Sequence, residues 1–259
     1  MAPRIFVAAP LAAGATIVLS RAESRHVQVL RLQPGDAVVL FNGEGDAEWP
    51  AEIVRIERAA VELKTGAAVI AGERELAIRV TLAFGIPANE RMDGLVEKAT
   101  ELGVAAIQPL VCERSVVRLA GERAEARRAH WSAVAASASE QCGRVRVPRI
   151  GAPLKIEAWL GELEESSTAS IADRAGRFVL SFDRTAATPA RAFAPTSGAA
   201  APDLLVLSGP EGGLAPHEES AAVELGFRRV TLGPRVLRAD TAPLALLVWI
   251  GLAIAPERR

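Results

Sequence analysis

Leu204-Leu205-Val206-Leu207 runs straight into Ser208-Gly209-Pro210-Glu211-Gly212-Gly213, and the run from Arg229 to Leu232 opens into Gly233-Pro234-Arg235-Val236-Leu237-Arg238. Each is a short strand followed by a turn of glycine, proline and one or two charged residues. A helix begins near Pro216, whose fixed φ suits a first helical turn. Upstream, a strand over Ile78 to Phe84 leads to Pro87, after which Met92, Leu95, Val96, Ala99 and Leu102 recur at helical spacing, with Gly103 as the stop. Val104 to Val111 reads as the next strand. A charged helix from about Gly121 to Cys142 carries Trp131, Val134, Ala135 and Ala138 on one face, and Phe178 to Phe182 is a further strand. Strands alternating with helices predict an α/β domain.

In open α/β sheets ligands bind outside the carboxyl ends of the strands. The two glycine-rich turns are therefore the predicted binding site. Their free backbone N–H and C=O groups suit the edge of an adenine ring, and the missing side chains leave room for it. The other reading of these residues, that each glycine serves a tight turn, stays open on pattern alone. A helix from about Asp240 to Ala255 is apolar on nearly all sides, which requires burial within the fold or against a second subunit. It is too short to span a bilayer. Residues 184 to 203, rich in Ala, Pro, Thr and Ser, read as a mobile surface loop.

Residues 1–72 have a different texture. Short β-rich runs, Ala37 to Phe41 and Ala51 to Ile56, are separated by turn signals at Pro34-Gly35-Asp36 and Asn42-Gly43-Glu44-Gly45. This predicts a small barrel over 1–72, followed by the α/β domain over 73–259. The apolar run from Ile5 to Leu19 is broken by Pro10 and Gly14 and has no A-x-A-like cleavage site, so it reads as an opening strand and turn rather than a signal peptide.

The 259 residues are half hydrophobic with a net charge of −1, enough for a sizeable core but no electrostatic advertisement of a nucleic-acid partner. RNA contact would have to come from local clusters. Arg144, Arg146 and Arg149 form one and Arg123, Arg127 and Arg128 another, although solvated faces look the same. Cys112 and Cys142 have no CxxC spacing and the 3 histidines no paired pattern, so neither a disulfide framework nor a metal site is predicted. No GxxxxGK[ST] loop, GxGxxG after a strand, or GxSxG elbow occurs.

The segments Leu207 to Gly213 and Leu232 to Ala242 together resemble the RsmE family, which methylates N3 of a uridine in 16S ribosomal RNA of the small subunit. The resemblance extends to Arg25-His26, Val29-Leu30-Arg31, Lys98 to Val104, Glu113-Arg114-Ser115, and Glu140-Gln141 with Arg144 and Pro148. It implies a PUA-like RNA-binding barrel, then a SPOUT methyltransferase domain whose C-terminal segment threads a trefoil knot, in a cytoplasmic homodimer. It also implies S-adenosyl-L-methionine as cofactor, held by Leu207, Gly209, Pro210, Glu211, Gly212, Gly213, Leu232, Gly233, Arg235, Val236 and Leu237. Asp240 stands where the family more often has glutamate, and Ala215 where serine often caps the helix with Glu218.

A uridine N3 must lose its imide proton before it can attack a methyl group. Arg238 is the candidate for stabilising charge on a uracil oxygen, and Glu211 and Asp240 are the candidate carboxylates. Arg25, His26, Arg31 and Arg144 are the candidate RNA contacts. Lys98 and Glu101, three apart on a helix, read equally as an exposed ion pair. Two alternatives remain at this level: a non-catalytic RNA-binding module, and a related methyltransferase acting on a different RNA.

Overall fold

The computed structural model describes residues 2–57, 60–88, 91–165, 176–193 and 203–253. They form two compact units, Met1–Glu75 with Ala136–Val147, and Leu76–Ala135 with Pro148–Arg259. Residues 136–147 join the first unit because polar groups tie them there. Glu140 accepts a hydrogen bond from the Phe6 N–H (2.8 Å), and Val147 N–H donates to Gly43 O (3.2 Å). Arg144 and Glu75 form a pair whose side chains are each 5% exposed.

The first unit contains β1 (Arg4–Phe6), β2 (Thr16–Val18), α1 (Arg21–Val29), β3 (Ala37–Phe41), β4 (Ala47–Ile56), β5 (Val61–Thr65) and β6 (Val69–Ile70). Its sheet runs β1-β3-β4-β5-β2 with β6 on β4, antiparallel except for β1 beside β3. Alternation along β4 and β5 buries Ile53, Val61 and Leu63 against Ile5, Val27 and Leu40. Helix α1 escapes the strand pattern but has a clear start, because Ser20 and Glu23 form a reciprocal capping box.

The second unit contains β7 (Val80–Gly85), α2 (Arg91–Glu101), β8 (Ala106–Val111), most of α3 (Gly121–Cys142), β9 (Arg149–Ile150), β10 (Leu154–Lys155), α4 (Ile156–Glu165), β11 (Arg177–Leu180), α5 (Pro189–Ala192), β12 (Leu204–Ser208), α6 (Pro216–Glu224), β13 (Arg228–Val230) and α7 (Thr241–Ala253). All its strand pairs are parallel, in the order β10-β8-β7-β12-β11-β13 with β9 on β8. β7 and β12 are buried on both faces, which explains their largely apolar runs. α7 buries Leu246, Leu247 and Ile250 but leaves Val248 and Leu252 exposed. Of the stretch 184–203, residues 194–202 lie outside the described residues, and Pro189–Ala192 is helical. Residues 254 and 255 of the expected C-terminal helix also lie outside them. Among the described residues no helix is long and apolar enough to cross a membrane.

Candidate active site

The carboxyl ends of β11, β12 and β13, with Arg114 from the loop after β8, surround a cleft of about 760 Å³ in the second unit. A parallel sheet creates such a place because every strand delivers its following loop to the same edge. Of the residues expected at a cofactor, Gly209, Pro210, Glu211, Gly212, Gly213, Leu232, Arg235, Val236 and Leu237 line the cleft, as does Arg238. Leu207, Gly233 and Asp240 do not line it. Leu207, on β12, is fully buried in the core with Val179 and Phe227, so its side chain is part of the support.

Backbone constraints explain the glycines in the first loop. A Cβ on Gly209 would stand 2.5 Å from Leu214 N and 2.7 Å from Gly213 C, atoms that cannot yield without moving the loop. Gly213 has φ +69° and donates its N–H to Pro210 O at 2.8 Å, closing a tight turn. Side chains then fix the loop from outside. Arg114, just past β8, donates to Gly212 O (3.0 Å) and Leu214 O (3.3 Å). Glu211 accepts from Ala88 N–H at 2.9 Å and faces Arg91 at 3.7 Å.

Ala215 offers no side-chain cap to α6, yet half of the capping box survives. The Glu218 carboxylate accepts from Ala215 N–H (2.7 Å) and from Glu113 N–H (2.7 Å), so a fully buried acid joins two strand-end loops. Beside it, burial pushes the Cys112 thiol up to about 12, with the Glu218 charge adding to the effect, which leaves an unreactive thiol.

The sheet order puts β11 between β12 and β13. Its following residues, Ser181-Phe182-Asp183, therefore line the cleft between the two glycine-rich loops. Glu219 accepts from the Ser181 hydroxyl (2.9 Å) and from Arg229 (2.6 Å). The hydroxyl and N–H of Thr185 hold the Asp183 carboxyl below the usual range. Arg238 is exposed and, among the described residues, makes no ion pair, whereas its carbonyl accepts from Thr241 and Ala242 N–H at the start of α7. Asp240 Oδ1 is buried without a hydrogen-bond partner among the described residues.

The expected RNA contacts separate. Arg25 and His26 are exposed on α1, and Arg31, also exposed, follows it with φ +57°. Arg144 stands apart from them, its guanidinium buried against Glu75 at 2.6 Å. Lys98 pairs with both Glu97 and Glu101 at 2.8 Å on the surface of α2. Among the described residues no cluster of His, Cys, Asp and Glu could hold a metal ion.

Sequence reasoning gave Arg114, Phe182, Asp183 and Glu219 no role. Arg114 had a signal, since it sits in a loop directly after a strand of the same sheet. The others depend on the sheet order, which the chain order does not state.

A family model described as an RNA methyltransferase domain matches residues 74–251, and one described as an RNA methyltransferase PUA domain matches 19–65. The ribosomal RNA small subunit methyltransferase E of Synechocystis is 31% identical over 96% of this chain and 77% of its own length. The chain belongs to the ribosomal RNA small subunit methyltransferase E family. Its fold agrees with that of the Neisseria gonorrhoeae methyltransferase E solved with S-adenosyl methionine, at a TM-score of 0.85, 32% identity and 98% coverage of both chains. A Legionella pneumophila methyltransferase solved with the same cofactor matches at a TM-score of 0.85, 29% identity and 98% coverage of both. Methyltransferase E membership makes this an α/β rRNA methyltransferase with a PUA-like domain, and the cleft is its candidate active site.

Proposed function

We propose that the protein transfers the methyl group of S-adenosyl-L-methionine to N3 of a uridine in 16S ribosomal RNA of the small ribosomal subunit. The observation that carries this reading is the cleft of about 760 Å³ bounded by the two glycine-rich loops at the carboxyl ends of a parallel sheet. Its donor set fits the cofactor. A Cβ on Gly213 or Gly233 would meet nothing within 4 Å, so open space adjoins both turns. Backbone groups of Gly209, Gly212, Gly213, Leu232 and Leu237 would hold the adenine and ribose, with Pro210, Glu211, Arg235 and Val236 around them. The bound cofactor supplies a methyl group already activated on a sulfonium sulfur.

The protein's part is to orient the uracil and ease the loss of its N3 proton. Arg238 carries into the cleft a permanently charged guanidinium that no carboxylate among the described residues pairs with, suited to the charge that gathers on a uracil oxygen as N3 loses its proton. Glu211 is engaged by Ala88 N–H and Arg91, which makes it a support for the loop. Asp240 does not line the cleft, and its Oδ1 is buried without a hydrogen-bond partner among the described residues, so the N3 proton leaves to water in the open cleft. Methyl transfer then forms the N3–CH3 bond as the S–CH3 bond breaks.

Arg25, His26 and Arg31 are assigned to gripping RNA from the PUA-like unit. A homodimer would cover Val248 and Leu252 of α7, which are 43% and 80% exposed. A threaded trefoil knot accords with a chain that leaves edge strand β13 and returns α7 to β12 and α2. The family's work on ribosomal RNA supports a cytoplasmic location. The test is a titration with S-adenosylmethionine, followed by labelled-methyl transfer to unmodified small subunits and, separately, to transfer RNA. Cofactor binding with label only in the subunits supports the reading. Label only in transfer RNA moves the substrate, and no cofactor binding leaves an RNA-binding module.

A further inference from the structure

A second cleft, of about 530 Å³, opens at the other end of the same sheet. It is bounded by the first residues of the strands, among them Ala106, Arg177 and Leu204, so it faces away from the carboxyl-end loops. Two cationic clusters marked in the sequence meet there. Arg128 comes from α3 and Arg149 from β9, and Arg128 Nε donates to Ile150 O at 3.2 Å, which brings the two arginines side by side. Their former companions are spent elsewhere, Arg144 on Glu75 and Arg146 on Asp46.

Among the described residues that line the cleft, Arg128, Arg149 and the buried Arg177 stand with a single acid, Asp203, which Arg79 meets at 3.6 Å, while Arg177 donates to Leu225 O at 3.0 Å. Arg128 is shared with Glu125 at 3.2 Å, but no carboxylate of the described residues pairs with Arg149, which is exposed. Leu163 and Leu205 add half-buried apolar surface to the same lining. Cations and apolar surface in one cleft suit a nucleotide, with its phosphate on the guanidinium groups and its sugar and base along the apolar part.

We infer that this cleft is a second RNA-binding site that takes a backbone phosphate and its nucleotide from the ribosomal RNA substrate, on Arg128 and Arg149. The proposal rests on RNA being the substrate class. It accounts for how a chain of net charge −1 holds a polyanion, through local sites of unanswered positive charge rather than overall charge.

Binding of naked 16S ribosomal RNA is measured across a salt series for wild type, Arg149→Ala, Arg149→Lys and the Arg128→Ala/Arg149→Ala double variant. Each lost phosphate contact lowers the slope of log affinity against log salt by about 1. The slope should therefore fall by about 1 in Arg149→Ala and by about 2 in the double variant. Arg149→Lys should keep the wild-type slope, and S-adenosylmethionine affinity should not move in any variant. A wild-type slope and affinity in the double variant would overturn the inference, as would weaker binding with an unchanged slope. Titration with inorganic phosphate and adenosine monophosphate separates the source: if these bind wild type but not the double variant while RNA binding is unaffected, the site serves a free anion and the RNA assignment fails. RNA binding is read directly, so a failure of methyl transfer would count against the proposed reaction and not against this site.

Discussion

Replacing Arg144 with alanine removes the cation from a pair in which both side chains are 5% exposed. The guanidinium donates twice to Glu75 Oε2, at 2.9 and 2.6 Å, while Glu75 Oε1 accepts from the N–H groups of Val145 and Arg146. The variant leaves a buried carboxylate with two backbone donors and no counter-charge. Breaking a buried pair from one side costs about 3–5 kcal/mol, whereas replacing both partners with neutral groups of similar size is often close to neutral. Arg144→Ala should therefore lower the unfolding free energy of the first unit by about 3–5 kcal/mol. Arg144→Met/Glu75→Gln should lose less than Arg144→Ala alone. Urea unfolding monitored by a probe in the first unit, with RNA affinity measured below the transition, checks both. Unchanged stability together with weakened RNA binding would refute the burial argument and return Arg144 to the RNA contacts.

Gly209→Ala forces a Cβ to 2.5 Å from Leu214 N, so calorimetry should find S-adenosylmethionine affinity reduced at least about tenfold, with the fold retained. Arg238→Ala should lower the methyl-transfer rate by about 100-fold or more while leaving cofactor affinity nearly unchanged. Normal turnover in that variant would end the assigned role of the guanidinium. Glu218→Ala abandons two N–H donors that it satisfies at 2.7 Å each and should cost about 2–4 kcal/mol in denaturant unfolding. Burial raises Glu140 above the usual carboxylate range, against the lowering effect of the Phe6 N–H bond. A raised acid binds its proton more tightly when folded, so its contribution to stability falls as pH rises through and beyond the carboxylate range. Glu140→Gln should remove that decline, which stability curves between acid and neutral pH would detect.

Much of the second unit is legible because local signals and tertiary demands agree there. Gly121 to Cys142 is helical as its pattern predicts, and the apolar runs at Ile78 and Leu204 become buried parallel strands. The glycine-rich loops are legible for a backbone reason, since Gly209 and Gly213 occupy positions that a side chain would disrupt. Helix α1 was hidden inside a β-rich stretch, although Ser20-Arg21-Ala22-Glu23 carries a capping-box pattern. Three-dimensional pairing was not legible. Nothing in the spacing of Glu75 and Arg144 announces a buried pair across 69 positions, so an arginine near other arginines read as an RNA contact. The position of β11 between β12 and β13 was equally silent, and with it the cleft-lining role of Phe182 and Asp183.

The measurement that tests the central claim most directly is nucleoside analysis of small ribosomal subunits lacking the modification after incubation with the protein and methyl-labelled S-adenosylmethionine. The account predicts label in 3-methyluridine, formed by wild type and lost in Arg238→Ala. Label in any other nucleoside, or none despite measurable cofactor binding, would contradict it.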